Sequence, residues 1–314
     1  MTATSRALVG ATLAGVGALA YAAALEVRWF TLRRFTVPVL PPGQEPLRIL
    51  HLSDLHLVPS QRRKIAWVRS LAALDPHVVI DTGDNIAHLD AVPALLEAFE
   101  PFLSRPGAFV MGSNDYYAPI AKNPARYLYD DAREPSRNKP LLPFEDMTAA
   151  FRAAGWRDLD NRRDEVTVDG RRIALVGVDD AHLDRDRFPA STRTGQGQAG
   201  PASEGFDLRL GVTHAPYQRV LNAMYDDGAD LVLAGHTHGG QLCVPGWGAL
   251  VTNCDLDTRR AKGLHGWPGP RPDSPGGEDS TWLHVSAGLG TSPFTPVRFA
   301  CRPEASLLTL VARA

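Results

Sequence analysis

An α/β fold is predicted by three features of the 314-residue sequence. Short apolar runs rich in Val, Ile and Leu recur along the chain, helical patterns intervene between them, and clusters of Gly, Asp, Asn and His directly follow several runs. Strands buried on both faces read as continuous apolar stretches, and their alternation with helices indicates a largely parallel sheet. Ligands of such sheets gather beyond the carboxyl ends of the strands.

Taken in order, the first element is Ala7 to Leu25, ALVGATLAGVGALAYAAAL, nineteen residues without a charge. At about 1.5 Å of rise per residue this length just spans a bilayer core, so residues 1–34 read as a membrane anchor. Ala22-Ala23-Ala24 also offers a small-residue site for signal cleavage, and a buried helix of a soluble domain has similar composition. The stretch is long for a signal core, and the Pro-rich residues after it suit a tether, which favours the single-pass, membrane-anchored reading. Arg6 precedes the helix, while Arg28, Arg33 and Arg34 follow it; counting Lys and Arg alone favours a cytoplasmic domain but leaves the side open. Residues 35–46, with Val37-Pro38-Val39-Leu40-Pro41-Pro42-Gly43, read as a linker.

The remainder, 47–314, is expected to form one domain of about 270 residues, a size at which single cores still grow. Strands are expected at Leu47 to Leu52, Val78 to Ile80, Ala108 to Met111, Ile173 to Val176, Leu208 to Val212, Leu231 to Ala234, Trp282 to Val285 and Leu307 to Val311. Helices are expected at Lys64 to Leu74, Ala91 to Phe99, Phe144 to Ala154 and Pro216 to Asp227. Thr194 to Gly205 and Trp267 to Gly277 are too rich in Gly and Pro to pack and read as loops. The irregular stretch from Tyr116 to Glu145 holds Arg126, Tyr127, Tyr129, Arg133, Arg137 and Lys139. It follows a polar cluster, so it either overhangs a site and offers cations and aromatic faces to a phosphorylated ligand or is a solvated loop.

A net charge of −2 gives no electrostatic invitation to nucleic acid, and none is expected as a partner. Cys243, Cys254 and Cys301 are odd in number and lack C-x-x-C spacing, so neither a disulfide framework nor a zinc knuckle is expected.

The chemistry resides in the polar clusters Asp54-Leu55-His56, Gly83-Asp84-Asn85, Gly112-Ser113-Asn114-Asp115, Thr213-His214-Ala215-Pro216 and Gly235-His236-Thr237-His238-Gly239-Gly240. Residues i and i+2 of a strand share a face, so a single Asp-x-His or His-x-His pair arises easily by chance. Recurrence after separate strands, beside turn-forming residues, does not. Mixed carboxylate and imidazole donors suit Mn, Fe, Zn or Co, whereas calcium takes oxygen alone. A bridging aspartate would set two such ions about 3.5–4 Å apart, the separation that clamps a phosphoryl group during in-line displacement.

The order D-x-H, G-D-x, G-N-H-[DE], x-H, G-H-x-H resembles the signature of the calcineurin-like metallophosphoesterases, from about Leu47 to the C-terminus. The string GHTHGGQ from Gly235 to Gln241, with the membrane-tethered layout, is similar to a bacterial branch bearing an N-terminal transmembrane segment. The resemblance implies a four-layer α/β/β/α sandwich and two divalent ions. It also implies hydrolysis of phosphodiesters or phosphoanhydrides, with a phosphorylated small molecule or lipid as substrate and a hydroxide shared by the ions as nucleophile. By motif position Asp54, His56 and His238 would hold one ion, His214 and His236 the other, and Asp84 would bridge both.

The chain departs from the pattern at Gly112-Ser113-Asn114-Asp115, where the usual ligand asparagine is Ser113 and the usual catalytic histidine is Asn114. Either Asn114 ligates in place of that asparagine, which an amide oxygen does better than a neutral hydroxyl, or Ser113 ligates and Asn114 binds the phosphate. In both cases the usual general acid is missing. A catalytically impaired, metal-containing phospho-ligand binding protein is therefore the rival expectation. His51 sits in the first strand of the domain, and His77, His88, His182, His265 and His284 have no supporting motif. Asp179-Asp180 is a candidate for orienting a ligand histidine.

Overall fold

In the computed structural model, which describes residues 3–121, 139–190 and 205–313, helix α1 (Ala3–Ala20) runs through two further helical turns into strand β1 (Thr31–Leu40). Next come β2 (Leu47–Leu52), α2 (Arg62–Ser70), β3 (Val78–Asp81), α3 (Val92–Phe99) and β4 (Gly107–Phe109). They are followed by the short α4 (Ser113–Tyr116), α5 (Phe144–Ala153), β5 (Arg157–Asp158), β6 (Arg162–Val168) and β7 (Arg171–Gly177). Then come β8 (Leu208–Thr213), α6 (Gln218–Asp226), β9 (Leu231–Ala234), and the hairpin β10 (Cys243–Val244) and β11 (Gly248–Ala249). The remaining strands are β12 (Gly263–Trp267), β13 (Thr281–Val285) and β14 (Glu304–Ala312).

Two six-stranded sheets face each other, ordered β1-β14-β2-β3-β4-β5 and β12-β13-β9-β8-β7-β6. The two-residue period of β2 shows how layers form: Leu47 and Ile49 enter the space between the sheets, while Leu50 and Leu52 face the helices. Ile80 and Leu308 meet Leu210, Leu231 and Leu233 in the central layer. Helices α2, α3 and α5 cover the outer face of the first sheet with Ile65, Leu95, Phe99 and Phe151. Helix α6 covers the second with Val220, Leu221 and Met224, which completes an α/β/β/α sandwich.

The parallel runs β2-β3-β4 and β9-β8-β7 end on the same side, so their following loops meet over one rim.

The expected linker at 35–46 is mostly strand. β1 pairs in parallel with β14 from Thr31↔Glu304 onward, and buries Val37, Val39 and Leu40. Pro38 is tolerated because β1 is an edge, where one row of N–H groups needs no partner. Trp267 to Gly277 also differs from expectation: Trp267 closes β12, and the turns after it are tightly knit, with Ser274 N–H donating to Arg271 and Gly277 N–H to Ser274. The glycine is needed there, since a Cβ on Gly277 would strike the Arg271 carbonyl. The Thr194 to Gly205 loop, except Gly205, and residues 122–138 of the Tyr116 to Glu145 segment lie outside the described residues.

Thr4–Arg28 is long and apolar enough to cross a membrane by length and composition, and Leu8, Leu13, Val16 and Leu19 are exposed. It is therefore not the buried helix of a soluble core.

A chain beginning at Gln44 is expected to be less stable than one beginning at Glu26. Losing Val37, Val39 and Leu40 removes roughly 5 kcal/mol of burial, at about 1.5–3 kcal/mol per side chain. In a domain of this size that corresponds to a fall in Tm on the order of 10–20 °C. Equal melting temperatures by differential scanning calorimetry would show β1 to be dispensable.

Candidate metal centre

Each candidate donor lies just past a strand end. Asp54 and His56 follow β2, Asp84 follows β3, and Asn114 opens α4 after β4. From the other sheet, His214 follows β8, and His236 and His238 follow β9. Asp54, His56, Asp84, His236 and His238 all have φ between 42° and 67°, the left-handed region that side chains other than glycine rarely adopt. Such a conformation costs on the order of 1 kcal/mol or more per residue and persists only where the surroundings over-determine it. It turns the chain sharply enough to aim donors two residues apart into one cavity.

Asp54, His56, Asp84 and His238 each present a donor atom within 4.8 Å of the others. His56 Nε2 lies 3.1 Å from His238 Nε2 and 3.4 Å from Asp84 Oδ2, and His238 Nε2 is 3.6 Å from Asp54 Oδ1. A second cluster shares Asp84: His214 Nε2 is 3.5 Å from Asp84 Oδ2 and 3.3 Å from His236 Nδ1. All seven donor residues thus converge, with Asp84 common to both groups. Asn114 Nδ2 and its main-chain N–H both donate to Asp84, each at 2.7 Å. Ser113 lines the same pocket, but its hydroxyl lies beside Asn114 Nδ2, at 3.4 Å.

The backbone fixes the imidazole tautomers. A carbonyl only accepts, so His214 Nδ1 donates to Thr82 (2.7 Å) and His236 Nε2 to Asn253 (3.0 Å); His238 Nδ1 donates to Gly290 (3.1 Å), because Arg298 Nη2, 3.2 Å from that ring nitrogen, already gives its two hydrogens to the Ala287 and Gly290 carbonyls. In each ring the other nitrogen then turns a lone pair into the cavity, as a metal ligand requires. His56 Nε2 and His238 Nε2 approach each other to 3.1 Å, and the buried His56 Nδ1 has no hydrogen-bond partner among the described residues, a donor set that a cation between the two rings would suit. The glycines agree, because a Cβ on Gly112 would strike Asp84 and His214, and one on Gly235 would strike Ser53 and Asp54.

Charge is unevenly distributed in this buried place. Burial acts to raise Asp84, but the His214 and His56 imidazoles hold its carboxyl below the usual range. Burial likewise acts to lower His214, yet Asp84, Asp54 and Asp180 raise it to about 9. Burial pushes Asp54 up to about 6 and His56 down to about 4, and keeps His236 and His238 well below the ordinary histidine value.

Several supporting groups were absent from the sequence expectation. Asp115 accepts from the N–H groups of Asp84 (2.7 Å), Asn85 (2.7 Å) and Gly112 (3.0 Å), locking the β3 turn to α4. Its place at the end of the Gly112 cluster was the available signal. Carbonyls, not Asp179-Asp180, hold the three rings: Asp179 bonds Tyr116 and Arg185, and Asp180 caps the turn at His182. His182 lines the pocket, its ring 4.6 Å from that of His236 and its Nδ1 3.0 Å from the Tyr217 hydroxyl. His51 is walled off, bonded to His284 and Thr82 and pushed by burial down to about 3. All three cysteines are buried thiols, and no disulfide joins them among the described residues. The pocket mouth adds apolar Ala118, Pro119, Ile120 and Leu183 beside Lys139.

The chain is 27% identical over 310 residues to phosphodiesterase YaeI of Escherichia coli K12, covering 96% of this chain and 94% of that one. It is 25% identical over 299 residues to the UDP-2,3-diacylglucosamine pyrophosphatase LpxG of Chlamydia trachomatis, covering 83% of each. A transmembrane protein with a metallophosphoesterase domain from Danio rerio is 28% identical over 215 residues, 66% of this chain and 44% of that protein. The model of the calcineurin-like phosphoesterases matches residues 47–240, the span from β2 through the His238 turn that supplies every donor named above. With more than half of its length matched and its strand ends gathered on one carboxylate, the chain belongs to the calcineurin-like phosphoesterase family of metal-dependent enzymes.

Proposed function

We propose that this protein is a membrane-anchored, dimetal-dependent hydrolase of phosphodiesters or phosphoanhydrides, acting on a phosphorylated small molecule or lipid. The observation that carries the reading is the meeting of two donor clusters on the single Asp84 carboxylate. In this reading Asp54, His56 and His238 would hold one ion, His214 and His236 the other, and Asp84 would serve both. Asn114 would complete the second set through its amide oxygen: its side chain already lies against Asp84 through Nδ2 at 2.7 Å, whereas among the described residues the Ser113 hydroxyl is bonded only to that amide, at 3.4 Å. Two bound divalent ions supply the charge that makes water a nucleophile at neutral pH and that neutralises phosphoryl oxygens.

The chain's own residues do the rest. Carbonyls of Thr82, Asn253 and Gly290 keep imidazole lone pairs aimed inward. Buried strand ends exclude bulk water, and the apolar mouth at Ala118, Pro119, Ile120 and Leu183 accommodates the non-phosphate part of a substrate. Relatives named as a phosphodiesterase and as a pyrophosphatase of a diacylated nucleotide sugar support these bond classes and an amphipathic substrate. The exposed apolar α1 supports the anchor.

Asp84→Ala is expected to abolish turnover and lower metal content at both positions, read by elemental analysis of purified protein. Two ions per chain with full activity in that variant would remove Asp84 from the centre.

Metal uptake is expected to depend on pH through His214. Metal-free protein holds a proton there up to about 9, and a bound ion must displace it. Affinity for the ion that His214 would hold should rise about tenfold per pH unit from 7 towards 9 and then level off, since binding that ion displaces one proton. Chelator competition showing flat affinity across that window contradicts this assignment.

Asn114 cannot deliver a proton at neutral pH, and a positioned acid is worth about 100- to 10,000-fold. Aryl esters and phosphoanhydrides should therefore react faster than alkyl esters in single turnover, and Asn114→His should narrow the difference. If alkyl and aryl diesters react alike, another acid serves, and loss of that equality in His182→Asn would identify it. No turnover of a bis-aryl phosphodiester by metal-loaded protein would favour the binding-protein alternative.

A further inference from the structure

The base of the N-terminal helix is joined to the candidate metal centre through a short buried path. Glu26, only 2% exposed, accepts from the main-chain N–H of Ala300 (3.1 Å) and Cys301 (2.6 Å). Ala300 has φ 51°, a left-handed conformation that an alanine keeps only when its neighbours enforce it, and the paired bonds to Glu26 do so. One turn earlier the Ala22 carbonyl accepts from Arg298 N–H at 3.2 Å. The helix end thus grips the Arg298 to Cys301 turn at both ends.

Arg298 is fully buried, and its guanidinium joins this turn, through the Cys301 carbonyl at 3.4 Å, to the loop before it. It donates to the carbonyls of Ala287 (2.7 Å), Gly288 (3.2 Å), Gly290 (2.7 Å) and His238 (3.3 Å). Gly290 is the pivot. Its carbonyl takes both Arg298 and His238 Nδ1, and its N–H donates to the Asp54 carbonyl at 2.6 Å. The path therefore reaches His238 and the Asp54 turn, which belong to the same donor cluster. Neither His214 nor His236 is bonded to Arg298; their rings are held by Thr82 and Asn253.

We infer that Arg298 is a positioning residue for His238, that Glu26 sets Arg298, and that the helix base is a working part of one metal position rather than a passive tether. The inference rests on the dimetal reading above and adds a selective dependence of one ion on the helix base. Removing a partner that orients a ligand typically costs about 10- to 100-fold in metal affinity.

The test uses the full-length chain in detergent, stripped with a chelator and titrated with Mn(II), with electron paramagnetic resonance separating a coupled ion pair from a single ion. Wild-type protein should bind two coupled ions. Glu26→Ala should bind one ion with wild-type affinity and the other about 10- to 100-fold more weakly, giving a single-ion spectrum at intermediate Mn(II). Glu26→Gln, whose amide oxygen still accepts, should recover most of the coupled signal. Arg298→Lys should reproduce the Glu26→Ala pattern if it folds; Glu26→Ala decides the matter if it does not. Amide exchange at residues 286–301 of metal-free protein should also quicken in Glu26→Ala. Wild-type affinity for both ions in Glu26→Ala, or equal weakening of both, overturns the inference. Wild-type protein that binds no Mn(II) at all overturns the dimetal reading instead.

Discussion

The Asp84 carboxylate sits where the carboxyl ends of both sheets converge, 3.4 Å from His56 Nε2 and 3.5 Å from His214 Nε2, and it is almost wholly out of water. A buried anion persists only if positive charge and hydrogen bonds surround it. Here two N–H donors from Asn114 and the proton raised on His214 answer it. The arrangement explains why the donors come from separate strands: no single turn can bring three imidazoles and an amide around one carboxylate.

Holding that cluster requires unusual backbone. Five donors in left-handed conformations would relax outward if left alone. They are restrained by glycines that leave no room for a Cβ, by Asp115 gathering three amides, and by carbonyls that select each ring's tautomer. Preorganisation here is mainly a main-chain property, with side chains as its visible end.

This division explains what could be read from residues alone. The eight strands expected from apolar runs are the eight interior strands of the two six-stranded sheets, and their four edge strands, β1, β5, β6 and β12, were missed along with the short β10–β11 hairpin. Burial on two faces writes an apolar run, whereas an edge admits Arg33, Arg34 and Pro38 in β1, the charges of Arg162 to Glu165 in β6, and glycines in β12. Donor side chains were legible because they recur as His and Asp beside turn residues. The carbonyls of Thr82, Asn253 and Gly290 were not, since every residue has one and only the fold chooses among them. His182 and Arg298 were illegible for a related reason: each reaches the centre from a segment without a motif.

The pairing of β1 with β14 has a consequence for how the protein is made. β14 is synthesised after every other strand described here, yet it lies between β1 and β2, the first two. While the ribosome is still translating, Val37 and Leu40 have no sheet to enter and β2 keeps an open edge. Completion of the first sheet is thus deferred until translation has passed Ala312, and an incomplete chain exposes a sticky margin close to its apolar N-terminal helix.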